Sequence, residues 1–162
     1  MATRMTFRPA SCRTAAEEAV RALESGRIVE RILRKDHTVW KPGPDEIANR
    51  LGWLESPRAM RARLPEIGAV VDGIRAEGLD FALLLGMGGS SLAPEVFRKV
   101  FGSASGFLDL AVLDSTDPGA VLSRAESLDP GRTLFIVSTK SGGTVETFSF
   151  MKYFFNLAAR KL

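Results

Sequence analysis

Hydrophobic positions change their spacing near the middle of the chain. In the first half, apolar side chains recur every three or four residues, as on one face of a helix. The clearest helix is predicted from Ser56 to Gly78, with an apolar face formed by Met60, Leu64, Ile67, Val71 and Ile74. From Leu79 onward, short apolar runs alternate with stretches long enough for a helix. We therefore predict an N-terminal helical segment over residues 1–78 and an α/β domain over residues 79–162.

Three apolar runs are predicted to form the sheet of this α/β domain: residues 81–85, 110–113 and 133–137. Short apolar runs separated by helix-length segments are typical of parallel strands joined by helical crossovers, so we predict a doubly wound parallel sheet. Ligands of such sheets bind outside the carboxyl ends of the strands. We therefore expect the loops that follow the three runs to lie on one edge.

Glycine and hydroxyl residues follow the first and third runs. The first glycine loop is Gly86-Met87-Gly88-Gly89-Ser90-Ser91, and the second glycine loop is Ser138-Thr139-Lys140-Ser141-Gly142-Gly143-Thr144. Glycine lets the backbone approach an anion, and the N–H groups and dipole at the start of the following helix favour negative charge. We predict that these loops bind a phosphate group through Gly88, Gly89, Ser90, Ser91, Ser138, Thr139, Lys140, Ser141 and Thr144.

Two other phosphate motifs fit these loops less well. Gly86 and Gly88 supply the first two glycines of a dinucleotide fingerprint, but Ser91 stands in the third position, and that fold needs no lysine and hydroxyl cluster after its third strand. A Walker A lysine follows its glycines, whereas Lys140 precedes Gly142 and Gly143. Each loop could also be a tight turn that only caps the following helix and binds no ligand. This alternative is less convincing for two such loops on one edge of the sheet than for a single loop.

Composition narrows the range of partners. The chain has 162 residues, 45% of them hydrophobic, and a formal net charge of +3, with its arginines spread along the predicted helices. We expect a soluble cytoplasmic protein that binds no nucleic acid. No apolar run approaches the ~20 residues that span a membrane, so we expect no membrane attachment. The lone Cys12 and the lone His37 provide neither a disulfide nor a metal-type spacing, and we expect no metal and no cofactor.

The order and spacing of these motifs resemble the sugar-isomerase (SIS) domain of the glucose-6-phosphate isomerase family. The resemblance rests on residues 85–90, the Asp117-Pro118 turn, residues 134–137 and residues 139–144. Residues 36–42 and 50–54 also resemble the isomerase part of bacterial transaldolase/glucose-6-phosphate isomerase fusions. The resemblance implies an SIS-type sheet whose glycine loops hold a sugar phosphate through Gly89, Ser90, Thr139, Lys140, Ser141 and Thr144.

The resemblance also implies an activity for the complete protein, the interconversion of glucose 6-phosphate and fructose 6-phosphate in glycolysis and gluconeogenesis. Gly142 and Gly143 stand where many family members carry an aromatic residue and a threonine, so we expect a more flexible loop with a lower phosphate affinity. The alternative function is a non-catalytic SIS module that binds sugar phosphates for regulation.

No catalytic residue is assigned to this chain. Proton transfer between C1 and C2 needs a general base, and the family takes its glutamate, histidine, arginine and lysine from later segments that have no match here. His37 lies in the N-terminal helical segment and is interpreted as structural. Glu146 lies in the first turn of the last predicted helix, where a carboxylate suits the helix dipole. We expect the chain alone to be inactive.

The last predicted helix, residues 144–161, is apolar over more than one face. Beside one apolar stripe stand Phe150, Phe154 and Leu157, and a helix apolar over so wide an arc needs cover on two sides. We therefore expect a domain that is incomplete at its C-terminus and belongs to a longer isomerase. We expect the flank of Phe150, Phe154 and Leu157 and one sheet edge to be uncovered, and either a homodimer or the remainder of a longer chain to cover them.

Overall fold

The structure is a computed structural model that describes Thr6 and residues 10–162, and it divides the chain into two compact units. The first unit extends to Leu64 and the second is Pro65–Leu162. Residues 1–5 and 7–9 of the predicted N-terminal segment lie outside the described residues. The boundary between the units falls inside the helix predicted from Ser56 to Gly78.

The first unit is helical over its described part. It contains α1 (Ala10–Ser25), α2 (Ile28–Leu33) and α3 (Ser56–Ala62), with 3₁₀ turns at His37–Val39 and Ala48–Glu55. The single helix predicted from Ser56 to Gly78 is wrong, because α3 ends at Ala62 and α4 runs separately over Leu64–Ala76. Pro65 explains the break: it has no N–H to continue the hydrogen bonds of α3, and its ring would clash with the carbonyl group four residues earlier. Near the start of α4 the missing N–H costs nothing.

The second unit is built on a three-stranded parallel sheet of β1 (Phe81–Gly86), β2 (Asp109–Leu113) and β3 (Thr133–Ser138), in the order β2-β1-β3. Each strand lies within one residue of a predicted run, so the predicted α/β class and parallel sheet are confirmed. Leu85 of β1 aligns with Leu113 of β2 and with Val137 of β3. The three strands therefore end at the same edge of the sheet.

Three helices follow the strands: α5 (Gly89–Phe101), α6 (Pro118–Ser127) and α7 (Val145–Lys161). At the start of α6, the carboxylate of Asp117 accepts a hydrogen bond of 2.9 Å from the N–H of Ala120, and Pro118 occupies the first turn, where a missing N–H costs nothing. The Asp117-Pro118 turn is thus a helix start. Helix α7 packs on β1 and β3, and α5 packs on β2 and β1.

The core lies between the sheet and helices α6 and α7. Its buried side chains are Leu83, Leu85, Ala111, Leu113, Ala125, Leu128, Phe150 and Phe154. Phe154 stacks at a ring distance of 5.5 Å on Phe135 of β3 and makes an edge contact with Tyr153. Helix α5 contributes no side chain to this cluster among the described residues.

The prediction that Phe150, Phe154 and Leu157 form an uncovered flank is wrong. Phe150 and Phe154 are only 2% and 1% exposed, and Leu157 packs against the core. The reason is the position of α7 over β1 and β3, which turns this flank toward the helix's own sheet. The exposed apolar side of α7 is the other stripe, where Phe155 is 71% exposed.

Candidate functional site

A cleft of about 530 Å³ opens where β1 and β3 end. Its lining comes from both glycine loops: Met87, Gly89, Ser90, Lys140, Ser141 and Thr144. The loops meet because β1 and β3 are adjacent parallel strands, and Gly86 at the end of β1 aligns with Ser138 at the end of β3. Side chains about fifty positions apart in the sequence are thereby brought to one concave surface.

The first glycine loop is fixed by its own backbone. Gly88 has φ 54° and ψ −124°, a conformation that favours glycine, and its carbonyl oxygen accepts hydrogen bonds from the N–H groups of Ser91 and Leu92. The hydroxyl of Ser91 donates to the same oxygen at 2.9 Å, and the Ser91 side chain is fully buried. Ser91 therefore holds the start of α5 together and presents no side chain to the cleft.

Close packing explains the glycine that begins this loop. A Cβ atom at Gly86 would lie 3.0 Å from the carbonyl oxygen of Ser138, a distance that real Cβ atoms rarely reach. The missing side chain at Gly86 allows the two loops to approach each other. Ser138 thus contributes backbone at the junction of the loops, and its side chain is not part of the cleft lining.

The second glycine loop is organised by its hydroxyl groups. The hydroxyls of Thr139 and Thr144 lie 3.2 Å apart and share a hydrogen bond. The N–H of Gly142 donates to Thr139 Oγ1 at 3.3 Å, and the N–H of Gly143 donates to Ser141 Oγ at 3.2 Å. Gly142 has a positive φ of 71°, which accounts for glycine at this position. The loop therefore curls around its own oxygen atoms at the start of α7.

The charge of the cleft comes from Lys140. Its ammonium group forms no ion pair with any described residue, and the lining contains no carboxylate. The side chains of Ser90, Ser141 and Thr144 add hydroxyl donors beside this charge. Helices α5 and α7 both begin at the cleft, so the positive ends of two helix dipoles add to the field. Such a cleft attracts an anion.

The predicted site residues fall into two groups. One group lines the cleft and consists of Gly89, Ser90, Lys140, Ser141 and Thr144. The other group is not part of the lining and helps to fix the conformation of the loops: Gly88, Ser91, Ser138 and Thr139. Met87 also lines the cleft and is not among the predicted site residues. Its position between Gly86 and Gly88 in the first glycine loop is the signal that could have included it.

The interpretation of His37 as structural can be compared with the contacts of its turn in the first unit. His37 Nε2 lies 3.1 Å from the carbonyl oxygen of Pro42. Asp36 caps the same 3₁₀ turn, and hydrogen bonds from Thr38 and Arg31 lower the pKa of the Asp36 carboxyl to about 2. These contacts close a local turn. Nothing in them resembles a proton-transfer site.

Two further observations concern ligands and membranes. Within Thr6 and residues 10–162, no three His, Cys, Asp or Glu side chains come together as metal ligands. No described helix combines the length and the apolar character needed to cross a membrane.

Comparisons with known proteins show that parts of this chain are similar to proteins named glucose-6-phosphate isomerase. No family model matches the chain. Glucose-6-phosphate isomerase of Prochlorococcus marinus is 42% identical over 64 residues, which cover 38% of this chain and 12% of the relative. The enzyme of the same name from Rhizorhabdus wittichii is 30% identical over 107 residues, which cover 64% of this chain and 19% of the relative. The enzyme of Thermus thermophilus is 31% identical over 115 residues, which cover 67% of this chain and 25% of the relative.

The matched segments thus span a quarter or less of the length of these relatives. The similarity supports a relation to a glucose-6-phosphate isomerase-like family, in agreement with the resemblance of the motifs. A crystal structure of a hypothetical protein from Thermus thermophilus is similar in fold, with a TM-score of 0.61 and 27% sequence identity. The similarity covers 90% of this chain and 32% of that chain.

Proposed function

We propose that this chain is the sugar-phosphate-binding part of a glucose-6-phosphate isomerase. The observation that carries the proposal is the cleft of about 530 Å³ that both glycine loops line, with Lys140 and three hydroxyl side chains facing one space. Its volume lies within the range of small-molecule sites, roughly 300–1,000 Å³. The curated relatives that match the chain carry the name of that isomerase.

The proposed ligand group is the phosphate of glucose 6-phosphate or fructose 6-phosphate. Lys140 supplies a positive charge, and the hydroxyls of Ser90, Ser141 and Thr144 supply hydrogen bonds to the phosphate oxygens. The first turns of α5 and α7 add favourable dipoles. In this arrangement, binding of the phosphate group holds the substrate in place and thereby determines where C1 and C2 of the sugar lie.

The isomerisation reaction requires more than binding of the phosphate. Moving a proton between C1 and C2 through an enediolate needs a general base and groups that stabilise the developing negative charge. The residues that line the cleft include neither a carboxylate nor an imidazole. In our proposal the complete isomerase takes these groups from residues outside this chain, and this chain contributes substrate binding and orientation.

The same observation favours one alternative, a module that binds sugar phosphates and performs no chemistry. A lining without a general base is what such a module requires. The two functions are separated by a coupled assay of the whole gene product with glucose 6-phosphate. Turnover that falls in the Lys140→Ala variant supports the isomerase, whereas retained sugar-phosphate binding without turnover supports the module.

Calorimetric titration of the purified chain tests the proposed ligand. We expect glucose 6-phosphate and inorganic phosphate to bind with millimolar dissociation constants and glucose to show no heat of binding. NAD provides the comparison for the dinucleotide alternative, and we expect it to bind no better than inorganic phosphate. Equal binding of glucose and glucose 6-phosphate, or tight binding of NAD alone, would contradict the proposal.

A further inference from the structure

One residue of the cleft lining differs in chemistry from the rest. Among the described residues that line the cleft, Met87 alone has an apolar side chain, beside glycine, two serines, a threonine and Lys140. Backbone N–H groups, hydroxyls and an ammonium group bind phosphate oxygens, whereas a thioether carries no charge and donates no hydrogen bond. Binding of a phosphate group therefore gives Met87 no role.

The backbone of Met87 is held on both sides. Gly86 before it packs closely against the backbone of Ser138. The carbonyl oxygen of Met87 accepts a hydrogen bond of 3.1 Å from the N–H of Ser90, and Gly88 after it has a positive φ of 54°. The side chain of Met87 thus starts from a fixed point at the edge of the cleft.

Met87 stands between the core and the cleft. It packs against the core cluster and is half-buried, whereas residues 82–86 of β1 are buried. Contact with the core holds the residue in place, and part of it remains at the surface of the cleft. An apolar group that is already held loses little conformational freedom when a ligand packs against it.

A sugar phosphate offers two kinds of surface to such a cleft. Its phosphate is an anion, and its carbon chain carries C–H groups beside the hydroxyls. Packing of C–H groups against an apolar side chain removes apolar surface from water, which favours binding. Inorganic phosphate has no such surface. Small-molecule sites combine apolar lining with a few polar groups in this way.

We propose that Met87 gives the cleft its preference for a phosphate ester of a sugar, by packing against the C–H groups of the carbon chain next to the phosphate. This inference rests on the proposed function, because it takes the cleft to be a phosphate site. Lys140 and the hydroxyl side chains then hold the phosphate group, and Met87 contacts the carbon chain. If Met87 only filled the end of the core, its replacement would leave this preference unchanged.

The test compares two phosphate monoesters, glucose 6-phosphate and methyl phosphate, in NMR titrations of the purified chain. At about pH 8 both are dianions, since the second pKa of such esters is about 6. The two ligands therefore differ in the carbon chain and not in charge. We expect the wild-type chain to bind glucose 6-phosphate about three- to tenfold more tightly than methyl phosphate. Met87→Ala should remove most of this difference, and Met87→Leu should keep most of it.

The matched control is Lys140→Ala, which should weaken the binding of both esters and leave the ratio of their dissociation constants unchanged. Thermal unfolding checks that each variant is folded, because Met87 also packs against the core. A variant that is only partly folded binds both esters more weakly by the same factor, so the ratio still reports on the contact with the sugar.

A second measurement needs no variant. The wild-type chain, with five methionines, is labelled with carbon-13 at the methionine methyl groups. The methyl signal of Met87 should shift with glucose 6-phosphate and show nuclear Overhauser contacts to protons of the sugar. The signal of Met151, about two turns along α7 from Thr144, is the internal reference and should stay in place.

The outcomes separate this inference from the function on which it rests. If the wild-type chain binds neither ester, both the phosphate site and the role of Met87 are wrong. If it binds the two esters equally, or if Met87→Ala keeps the wild-type ratio, the inference is overturned and the phosphate site stands. A Met87 methyl group without contacts to the sugar protons also overturns the inference, even if Met87→Ala does not fold.

Discussion

Helices α5 and α7 begin at the same cleft but bury opposite kinds of surface. Helix α7 turns Phe150 and Phe154 into the core, whereas α5 buries Ser91 and leaves Phe97 and Phe101 in water. The comparison separates two tasks within each helix. In both helices the first turn, which follows a glycine loop, helps to form the cleft. The later turns of α7 pack into the core, whereas those of α5 leave their apolar side chains exposed.

The largest expected effect comes from two adjacent residues of α7. Phe154 is 1% exposed and Phe155 is 71% exposed. Phe154→Ala should lower the free energy of unfolding by about 3–5 kcal/mol, since it removes a ring from the core and leaves a cavity. Phe155→Ala should change it by less than about 0.5 kcal/mol. Denaturant unfolding measures both.

The matched variant on α5 sharpens this comparison. Phe101→Ala should change the free energy of unfolding as little as Phe155→Ala does, because its ring is exposed. A loss of several kcal/mol would mean that Phe101 contributes to the core, and the contrast between α5 and α7 would not hold.

A smaller effect is expected on ligand binding. Lys140→Ala should weaken the binding of glucose 6-phosphate by about 1.5–3 kcal/mol, roughly 10- to 150-fold, because a charge-assisted contact to the phosphate is lost. Thr144→Val should weaken it in the same direction. Lys152→Ala removes the same charge from an exposed position further along α7 and is the control. Thermal unfolding should be nearly unchanged in all three.

Equal losses in Lys140→Ala and Lys152→Ala would show that only the overall charge of the chain matters. Unchanged affinity in both Lys140→Ala and Thr144→Val would remove these two residues from the site.

The first glycine loop offers a comparison of neighbouring glycines. A methyl group at either Gly88 or Gly89 would enter open space, but only Gly88 has a positive φ, of 54°. Gly88→Ala should therefore destabilise the fold by about 1–2 kcal/mol through backbone strain alone. Gly89→Ala, at the first position of α5, should be close to neutral. Equal stabilities of the two variants would show that the loop is not held as described.

The smallest expected effect concerns the charges of α5. Hydrogen bonds from Arg98 and Lys99 lower the pKa of the Glu95 carboxyl below its ordinary value of 4.5. Because the pKa is lowered in the folded state, the stabilisation is present above the unfolded value and is lost as the pH falls through the folded one. An NMR titration of this carboxyl should give a midpoint below 4.5. A midpoint at or above that value would mean that the pairing does not persist in solution.

The sheet and the meeting of the two loops could be predicted from the sequence. Strand β1 is buried and β3 is partly buried, and both are short uninterrupted apolar runs in the sequence. The carboxyl ends of adjacent parallel strands must meet at one edge. The glycines and hydroxyls that follow the runs were therefore expected to converge, and residues of both loops do line one cleft.

The parts that could not be predicted depend on which side of a helix is covered. Helix α7 is apolar over a wide arc, so periodicity does not decide whether Phe154 or Phe155 faces the sheet, and the flank of Phe154 was expected to be exposed. Adjacent serines present the same difficulty. A sequence motif does not distinguish Ser90 from Ser91. In the structure Ser90 lines the cleft, whereas the Ser91 hydroxyl donates to the carbonyl oxygen of Gly88.

The central claim is that the two glycine loops form one phosphate site. It is tested most directly by a two-dimensional NMR titration of the chain with inorganic phosphate, at constant ionic strength. The account predicts that the amide signals of Gly89 and Ser90 and those of Lys140, Ser141 and Thr144 shift together and give a single dissociation constant. Shifts in only one loop, different constants for the two loops, or no shift in either would contradict it.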